Sequence, residues 1–232
     1  MAGSPLRTVA EVAATIDHAL LRPELTVDAV RAGCAVAARY AVASVCCKPA
    51  DVALCRSLLG GTGVAVGTVV GFPHGSSLGS VKRFETERAL DDGATEIDVV
   101  LNVGRLRSGD DAWVADELAG VVEACRDRGV VKVILECALL TDDEKVRACG
   151  LAVAAGAEYV KTSTGYAAHG ATLDDVRLLR ASVPAAVKVK AAGGISTLET
   201  LLAMLDAGAD RVGCSATAAL LDELAARHGA AR

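Results

Sequence analysis

The chain has 232 residues, of which 52% are hydrophobic and 23% charged, and its formal net charge is −5 at pH 7. A chain of about 200–250 residues is often a single barrel domain, and this length can bury a full core. The excess of acid and the lack of any basic block argue against a nucleic-acid partner, because such surfaces need clustered cations.

No apolar run approaches the roughly 20 residues of a membrane span, so we expect no membrane partner. Arg7 and Glu11 lie where a signal peptide would be apolar, which favours a cytoplasmic protein. Eight cysteines are scattered along the chain with no C-x-x-C pair and no histidine at zinc-site spacing. We expect most of them to be buried small residues in a reducing compartment, and we predict no metal site.

Short β-branched segments alternate with longer amphipathic segments, which is typical of repeated β-α units and a parallel sheet. After a short helical extension near residues 8–14, we predict strands at 15–17, 43–47, 64–70, 96–101, 131–136, 158–162, 186–190 and 211–213. Predicted helices follow at 27–40, 50–59, 79–92, 110–128, 142–155, 172–182, 197–207 and 216–227. Eight such pairs predict an α/β fold, a single-domain (β/α)8 TIM barrel over residues 1–232.

The reactive groups of such barrels come from strand residues that point into the lumen near the carboxyl ends. Lys161 lies near the end of the sixth predicted strand, and Lys188 and Lys190 alternate with valines on the seventh. The same alternation turns Asp98 and Lys132 inward from the fourth and fifth strands. The sequence therefore predicts an interior that contains four lysines.

Carboxylates share these inward faces, with Glu96 and Asp98 on the fourth predicted strand and Glu136 on the fifth. In one interpretation they are only counter-charges, because burying several ammonium groups costs free energy unless carboxylates compensate. In the other, Lys190 lowers the pKa of Lys161 and thereby makes its amine a nucleophile that can form a Schiff base.

Two glycine-rich turns follow the last two predicted strands, one at Gly193 and Gly194 and the other from Gly213 to Ser215. Each turn exposes backbone N–H groups ahead of a predicted helix, where unpaired donors and the helix dipole both favour an anion. Barrels of this class commonly hold a phosphate after strands seven and eight. The two turns therefore predict a phosphate-binding site.

Eight segments match one known family in order along the chain. They are 16–21 (IDHALL), 45–49 (VCCKP), 71–75 (GFPHG), 93–100 (GATEIDVV), 132–136 (KVILE), 160–165 (VKTSTG), 190–195 (KAAGGI) and 207–213 (AGADRVG). The chain resembles the 2-deoxy-D-ribose-5-phosphate aldolases, which are class I aldolases of the (β/α)8 type. The resemblance implies reversible cleavage of 2-deoxy-D-ribose 5-phosphate to D-glyceraldehyde 3-phosphate and acetaldehyde, in deoxyribonucleotide catabolism. It implies no cofactor and suggests a homodimer.

The resemblance also implies a role for each matching residue. Lys161 would form the Schiff base, Asp98 would relay protons, and Lys190 would be the cation that lowers the pKa of the nucleophile. Other matching residues would hold the phosphate or lie around the reactive groups. The residues that would hold the phosphate are Gly165, Gly193, Gly194, Gly213 and Ser215. The residues that would lie around the reactive groups are Asp17, Cys46 and Lys132.

Some positions depart from the family pattern, and two other functions stay open. Ala19 and Ala192 replace hydroxyl residues, and no tyrosine follows Tyr166, although some family members carry one on a C-terminal tail. A transaldolase-like or ketose-bisphosphate aldolase would use the same lysine chemistry with a longer donor. A barrel without catalysis would bind sugar phosphates and form no covalent adduct, but burying so many charged groups is costly without chemistry.

Overall fold

The sheet is a closed barrel of eight parallel strands paired in chain order, with β8 returning to β1. The computed structural model describes residues 7–230, and the closed ring confirms the (β/α)8 fold predicted from the alternating pattern. The strands are β1 Ile16–Leu20, β2 Ser44–Cys47, β3 Ala65–Val70, β4 Glu96–Val100, β5 Val130–Ile134, β6 Tyr159–Lys161, β7 Lys188–Ala192 and β8 Arg211–Cys214.

Helices surround the barrel and follow the strands along the chain. Threonine side chains cap several of them by accepting a backbone N–H, as Thr26, Thr141 and Thr172 do. The helices are α1 Val9–Ala13, α2 Val27–Tyr40, α3 Val52–Leu59, α4 Gly79–Asp91, α5 Val103–Arg107, α6 Asp111–Cys125, α7 Asp142–Ala155, α8 Leu173–Ser182, α9 Leu198–Asp206 and α10 Thr217–Ala230. The short helix α5 was not predicted.

The main apolar core lies between the strands and the helices. On β4 the alternation holds as predicted, since Ile97 and Val99 are buried in this core while Asp98 contacts lysines in the lumen. All eight cysteines are unpaired and buried, as expected. None of the helices in residues 7–230 is both long enough and apolar enough to cross a membrane.

Several strand boundaries differ from the prediction by one to three residues, and two of these differences affect site residues. The seventh strand begins two residues later, at Lys188, and the fifth ends at Ile134 rather than at Glu136. Glu136 has a left-handed backbone with φ of 58°, which is incompatible with continuing the strand. The helical extension near 8–14 appears as α1. The predicted single domain also includes residues 1–6 and 231–232, which lie outside the described residues, so its full extent stays a prediction.

Candidate active site

A single carboxylate, Asp98, is shared by three lysines inside the barrel. Lys161 and Lys190 donate to its Oδ2 atom at 2.7 and 2.8 Å, and Lys132 donates to its Oδ1 atom at 2.9 Å. All four side chains are at most 3% exposed. The structure therefore brings together the three residues that the sequence singled out for catalysis, and adds Lys132 to the same cluster.

Further charged side chains contact the same lysines. Asp17 Oδ2 is 2.5 Å from Lys190 Nζ, and its Oδ1 is 2.5 Å from Arg211. Glu96 accepts from Lys132 at 2.7 Å and lies 3.3 Å from Arg211. The network thus holds four basic side chains, Lys132, Lys161, Lys190 and Arg211, against three carboxylates. Charge is balanced when one of the four is neutral.

The hydrogen-bond partners indicate which basic group that is. An ammonium has three N–H donors. Lys132 meets Glu96, Asp98 and, at 3.5 Å, Asp17, while Lys190 meets Asp17 and Asp98. Among the described residues, Lys161 has Asp98 as its one side-chain partner. Its charged form is the least stabilised in the network.

The pKa shifts agree with this assignment. Burial lowers the pKa of Lys161; Asp98 opposes that shift, and the nearby charge of Lys190 adds to it. For Lys190 burial acts the same way, but Asp17 and Asp98 outweigh it and hold the pKa above its ordinary value. The charge of Lys190 therefore adds to the lowered pKa of Lys161, but burial is the larger cause, and the role of Lys190 in the reaction stays a prediction.

Asp98 and Cys46 have opposite ionisation tendencies. Burial would raise the pKa of Asp98, but Lys132, Lys161 and Lys190 hold it well below its ordinary value, so the carboxylate is charged. Cys46 Sγ lies 4.0 Å from Asp98 Oδ2. Burial, with help from the charge of Asp98, raises the pKa of Cys46 to about 11, so this residue is a neutral thiol near neutral pH.

A cavity of about 570 Å³ opens above this cluster at the carboxyl ends of the strands. Lys161, Lys190, Asp17 and Cys46 line it from below. Around it lie all of the residues predicted to hold a phosphate, together with Ala19 and Ala192, where the family pattern has hydroxyls. These phosphate-site residues are Gly165, Gly193, Gly194, Gly213 and Ser215.

Close packing of two loops explains why glycine occupies this side of the cavity. Gly193 has φ of 88°, and a Cβ atom there would lie 2.8 Å from Gly170 Cα and 3.2 Å from Gly165 Cα. A side chain would therefore force the loops after β6 and β7 apart. At Gly213 a Cβ atom would lie 3.1 Å from the Ala192 side chain. Backbone groups, rather than side chains, form much of this surface.

Two residues lie elsewhere than predicted. Lys188 is exposed at the first position of β7, where its Nζ atom sits 5.6 Å from the centre of the Tyr159 ring. The prediction of four interior lysines is therefore wrong for Lys188. Glu136 is buried, but it bonds to Thr164 on the loop after β6 and is not a counter-charge in the lysine cluster.

Sequence reasoning missed Arg211 and the residues at the mouth of the cavity. Arg211 shares a face of β8 with Gly213, so the same alternation would have placed it inward. Tyr166 and Arg22 line the cavity from the loops after β6 and β1, and Tyr166 Oη donates to Leu21 O at 3.0 Å. No local pattern brings these two loops together.

Comparison with known proteins identifies the family. The chain is 47% identical to the deoxyribose-phosphate aldolase of Streptococcus uberis over 92% of this chain and 97% of that protein. It is 48% identical to the deoxyribose-phosphate aldolase of Bacillus mycoides, over 90% and 94%. The solved deoxyribose phosphate aldolase from Aeropyrum pernix aligns with a TM-score of 0.88 at 32% identity, covering 95% of this chain and 93% of that one. Residues 11–224 match the model described as DeoC/LacD family aldolase, and the chain belongs to this family.

Proposed function

We propose that this protein is a class I deoxyribose-phosphate aldolase. It cleaves 2-deoxy-D-ribose 5-phosphate reversibly to D-glyceraldehyde 3-phosphate and acetaldehyde through a Schiff base on Lys161. The observation that carries the proposal is the amine of Lys161, which has a single side-chain partner among the described residues and opens onto the cavity. The relatives named above support this choice of substrate.

The first half of the reaction forms an electron sink. Neutral Lys161 Nζ attacks C1 of the open-chain sugar, and the carbonyl oxygen takes up a proton to give a carbinolamine. Loss of that oxygen as water leaves an iminium ion, with nitrogen joined to C1 by a double bond. The depressed pKa of Lys161 matters here, because only the unprotonated amine carries the lone pair needed for attack.

The second half breaks the carbon–carbon bond. Asp98, acting through a water molecule, accepts the proton of the C3 hydroxyl while the C2–C3 electron pair moves to the iminium. Glyceraldehyde 3-phosphate leaves, and an enamine remains on Lys161. Protonation at C2 and hydrolysis by water release acetaldehyde. Because the lysines hold the pKa of Asp98 below its ordinary value, its carboxylate is charged and can accept a proton when cleavage begins.

The phosphate of the sugar would lie against the loops after β6, β7 and β8. Backbone N–H groups near Gly165, Gly193, Gly194 and Ser215 would hold it, with the N-termini of α9 and α10 nearby. This contact is remote from the bond that breaks. Its binding energy fixes the sugar so that C1 meets Lys161.

Trapping with borohydride tests the proposal. The protein is mixed with acetaldehyde or with deoxyribose 5-phosphate, reduced, and analysed by intact mass and peptide mapping. We expect one reduced adduct, located on Lys161 and absent from Lys161→Ala. The matched control is Lys188→Ala, which removes an exposed lysine two residues from Lys190 and should still form the adduct.

The donor used for synthesis separates the alternatives. Acetaldehyde should add to glyceraldehyde 3-phosphate, whereas dihydroxyacetone or its phosphate should not. Transfer of a dihydroxyacetone unit without acetaldehyde release would instead identify a transaldolase-like or ketose-bisphosphate enzyme. A folded protein that binds sugar phosphates but forms no adduct would be a barrel without catalysis. Full activity in the presence of a chelator would support a reaction without a metal.

We further propose that the protein forms a homodimer through α4. Leu78, Val81 and Phe84 present large exposed apolar side chains along one side of this helix and its N-cap. The Aeropyrum pernix relative is described as a tetramer. Sedimentation should give a dimer for the native chain and a monomer for Phe84→Glu, whereas a native monomer would contradict the proposal.

A cytoplasmic location stays a prediction that cell fractionation can test.

A further inference from the structure

Glu136 is a buried carboxylate next to the cavity that the proposed reaction does not use. The residue is 4% exposed, and within residues 7–230 the hydrogen-bond donors to its carboxylate all belong to Thr164. Its backbone is left-handed, with φ of 58°, a conformation that non-glycine residues seldom adopt. Such conformations persist where surrounding contacts determine them, and they cluster at functional sites.

The contacts of Glu136 converge on one residue. Its carboxylate accepts from the backbone N–H of Thr164, at 3.3 and 3.4 Å for its two oxygens, and from the Thr164 hydroxyl. The same hydroxyl oxygen accepts the N–H of Tyr166 at 3.1 Å. Both donors of Thr164 are thus directed to Glu136, which holds the loop after β6 in one conformation.

This loop is part of the predicted phosphate site. Thr164, Gly165 and Tyr166 all line the large cavity. Gly165 in turn packs against the next loop so closely that a Cβ atom on Gly193 would lie 3.2 Å from Gly165 Cα. A shift of Thr164 would therefore move Gly165 and disturb the surface that it shares with Gly193. Lys161 is held separately, by β6 and by Asp98.

We propose that Glu136 is a positioning residue that sets the geometry of the phosphate cradle, defined as the backbone N–H groups around Gly165, Gly193 and Gly194. The inference rests on the proposed function and deepens it. Glu136 touches no reacting atom and acts through Thr164. It therefore governs how strongly the enzyme prefers a phosphorylated sugar, while the formation of the Schiff base on Lys161 is independent of it.

Glu136→Gln is the first variant, because glutamine keeps the size of the side chain and the same backbone preference but removes the charge that both Thr164 donors meet. The constants kcat and KM are measured for deoxyribose 5-phosphate and for unphosphorylated deoxyribose. We expect KM for the phosphorylated sugar to rise on the order of tenfold, as for a lost charged hydrogen bond. We expect no change with free deoxyribose and undiminished trapping on Lys161.

The matched control is Glu144→Gln. Glu144 also accepts a threonine backbone N–H, from Thr141 at 2.8 Å, but it does so at the exposed start of α7, and it should leave both substrates unaffected. If Glu136→Gln does not fold, Thr164→Val removes the hydroxyl that bonds to Glu136 and to the Tyr166 N–H but keeps the backbone N–H, and it should give a shift of the same kind. An equal loss with both sugars, or a lower melting temperature with unchanged KM values, would overturn the proposal.

A second readout separates this inference from the proposed function. The affinity for inorganic phosphate is measured by calorimetry on the native protein and on Glu136→Gln. A native protein that forms no adduct on Lys161 would refute the aldolase, yet weaker phosphate binding by the variant would still support a cradle set by Glu136. Equal phosphate affinity in the two proteins would refute the positioning role even if the native protein is an active aldolase.

Discussion

Within residues 7–230, buried lysine lies beside carboxylate in two places, and the proposed function assigns chemistry to only one of them. In the lumen, Lys161 meets Asp98 and opens onto the cavity. Between the barrel and its helices, Lys82 on α4 lies 2.6 Å from Glu117 on α6, and both side chains are at most 1% exposed. Burial lowers the pKa of both lysines, and the neighbouring carboxylate opposes the shift in each case.

The partners of the two amines differ. Lys82 donates to Gly75 O at 2.8 Å and to Val100 O at 2.7 Å in addition to its contact with Glu117. All three of its donors are occupied, and its role is to tie the loop after β3 to the end of β4. Among the residues that the structure describes, Lys161 Nζ has one side-chain partner, Asp98. A lowered pKa is therefore not enough for a nucleophile, which also needs a lone pair that a substrate can reach.

The largest expected effect is a loss of aldolase activity when Lys161 is replaced, but not when Lys82 is replaced. Lys161→Met should lower kcat by at least about 10³-fold, because it removes the nucleophile. The variant should stay folded, since it leaves three basic groups facing three carboxylates. Lys82→Met, measured at a temperature where it remains folded, should still form the borohydride adduct. Equal loss of trapping in the two folded variants would show that Lys161 has no special role.

The next effect concerns the carboxylate that the three lumenal lysines share. Asp98→Asn keeps the shape of the side chain but removes the relay and the negative charge, so kcat should fall by about 10²- to 10⁴-fold. Single-turnover kinetics are the measurement. We expect slow cleavage of the C2–C3 bond after the iminium has formed. Slow formation of the adduct, followed by cleavage at the native rate, would contradict a proton relay.

The free energy of unfolding should change most when the buried pair of Lys82 and Glu117 is broken. Lys82→Met leaves Glu117 buried without its cation, and breaking a buried pair in this way costs about 3–5 kcal/mol in the free energy of unfolding. Urea denaturation of the native protein and the variant measures this difference. The double variant Lys82→Met/Glu117→Leu should recover part of the loss, because no charge is then stranded. A double variant as unstable as the sum of two single variants would argue against a coupled pair.

Strand alternation was enough to predict that Asp98 and the lumenal lysines share the interior of the barrel. Asp98, Lys132 and Lys161 lie where a period of two places them. Lys190 was also assigned to the correct face although its strand begins two residues later than predicted, because a shift of two residues leaves every side chain on its original face. The prediction that Lys188 is interior was wrong, because alternation determines which face of the strand a residue lies on but not how deep in the barrel it lies.

Long-range contacts explain what the sequence did not reveal. Glu136 leaves the strand pattern because it bonds to Thr164, which is 28 residues away. Arg211 completes the charge network only when β8 closes against β1 and brings it to Asp17. These contacts depend on the closure of the ring and on loop conformations. The pattern within β8 can place Arg211 on the inner face, but it cannot show which carboxylates Arg211 meets there.

The smallest expected effect tests how the lumenal cluster tunes its nucleophile. Lys190→Met removes the cation that helps to lower the pKa of Lys161, so that pKa should rise. The acidic limb of the pH profile of kcat/KM should then move to higher pH, because the amine must lose its proton before it attacks. Activity near neutral pH should fall on the order of tenfold and recover in alkaline solution.

Lys188→Met is the matched control for this shift, because it removes a lysine from the same face of β7 at an exposed position. Its pH profile should coincide with that of the native enzyme. A Lys190→Met variant that is slow at every pH, with an unmoved acidic limb, would mean that Lys190 acts through contacts with Asp17 and Asp98 rather than through the pKa of Lys161. Burial of Lys161 would then lower the pKa of this residue without help from Lys190.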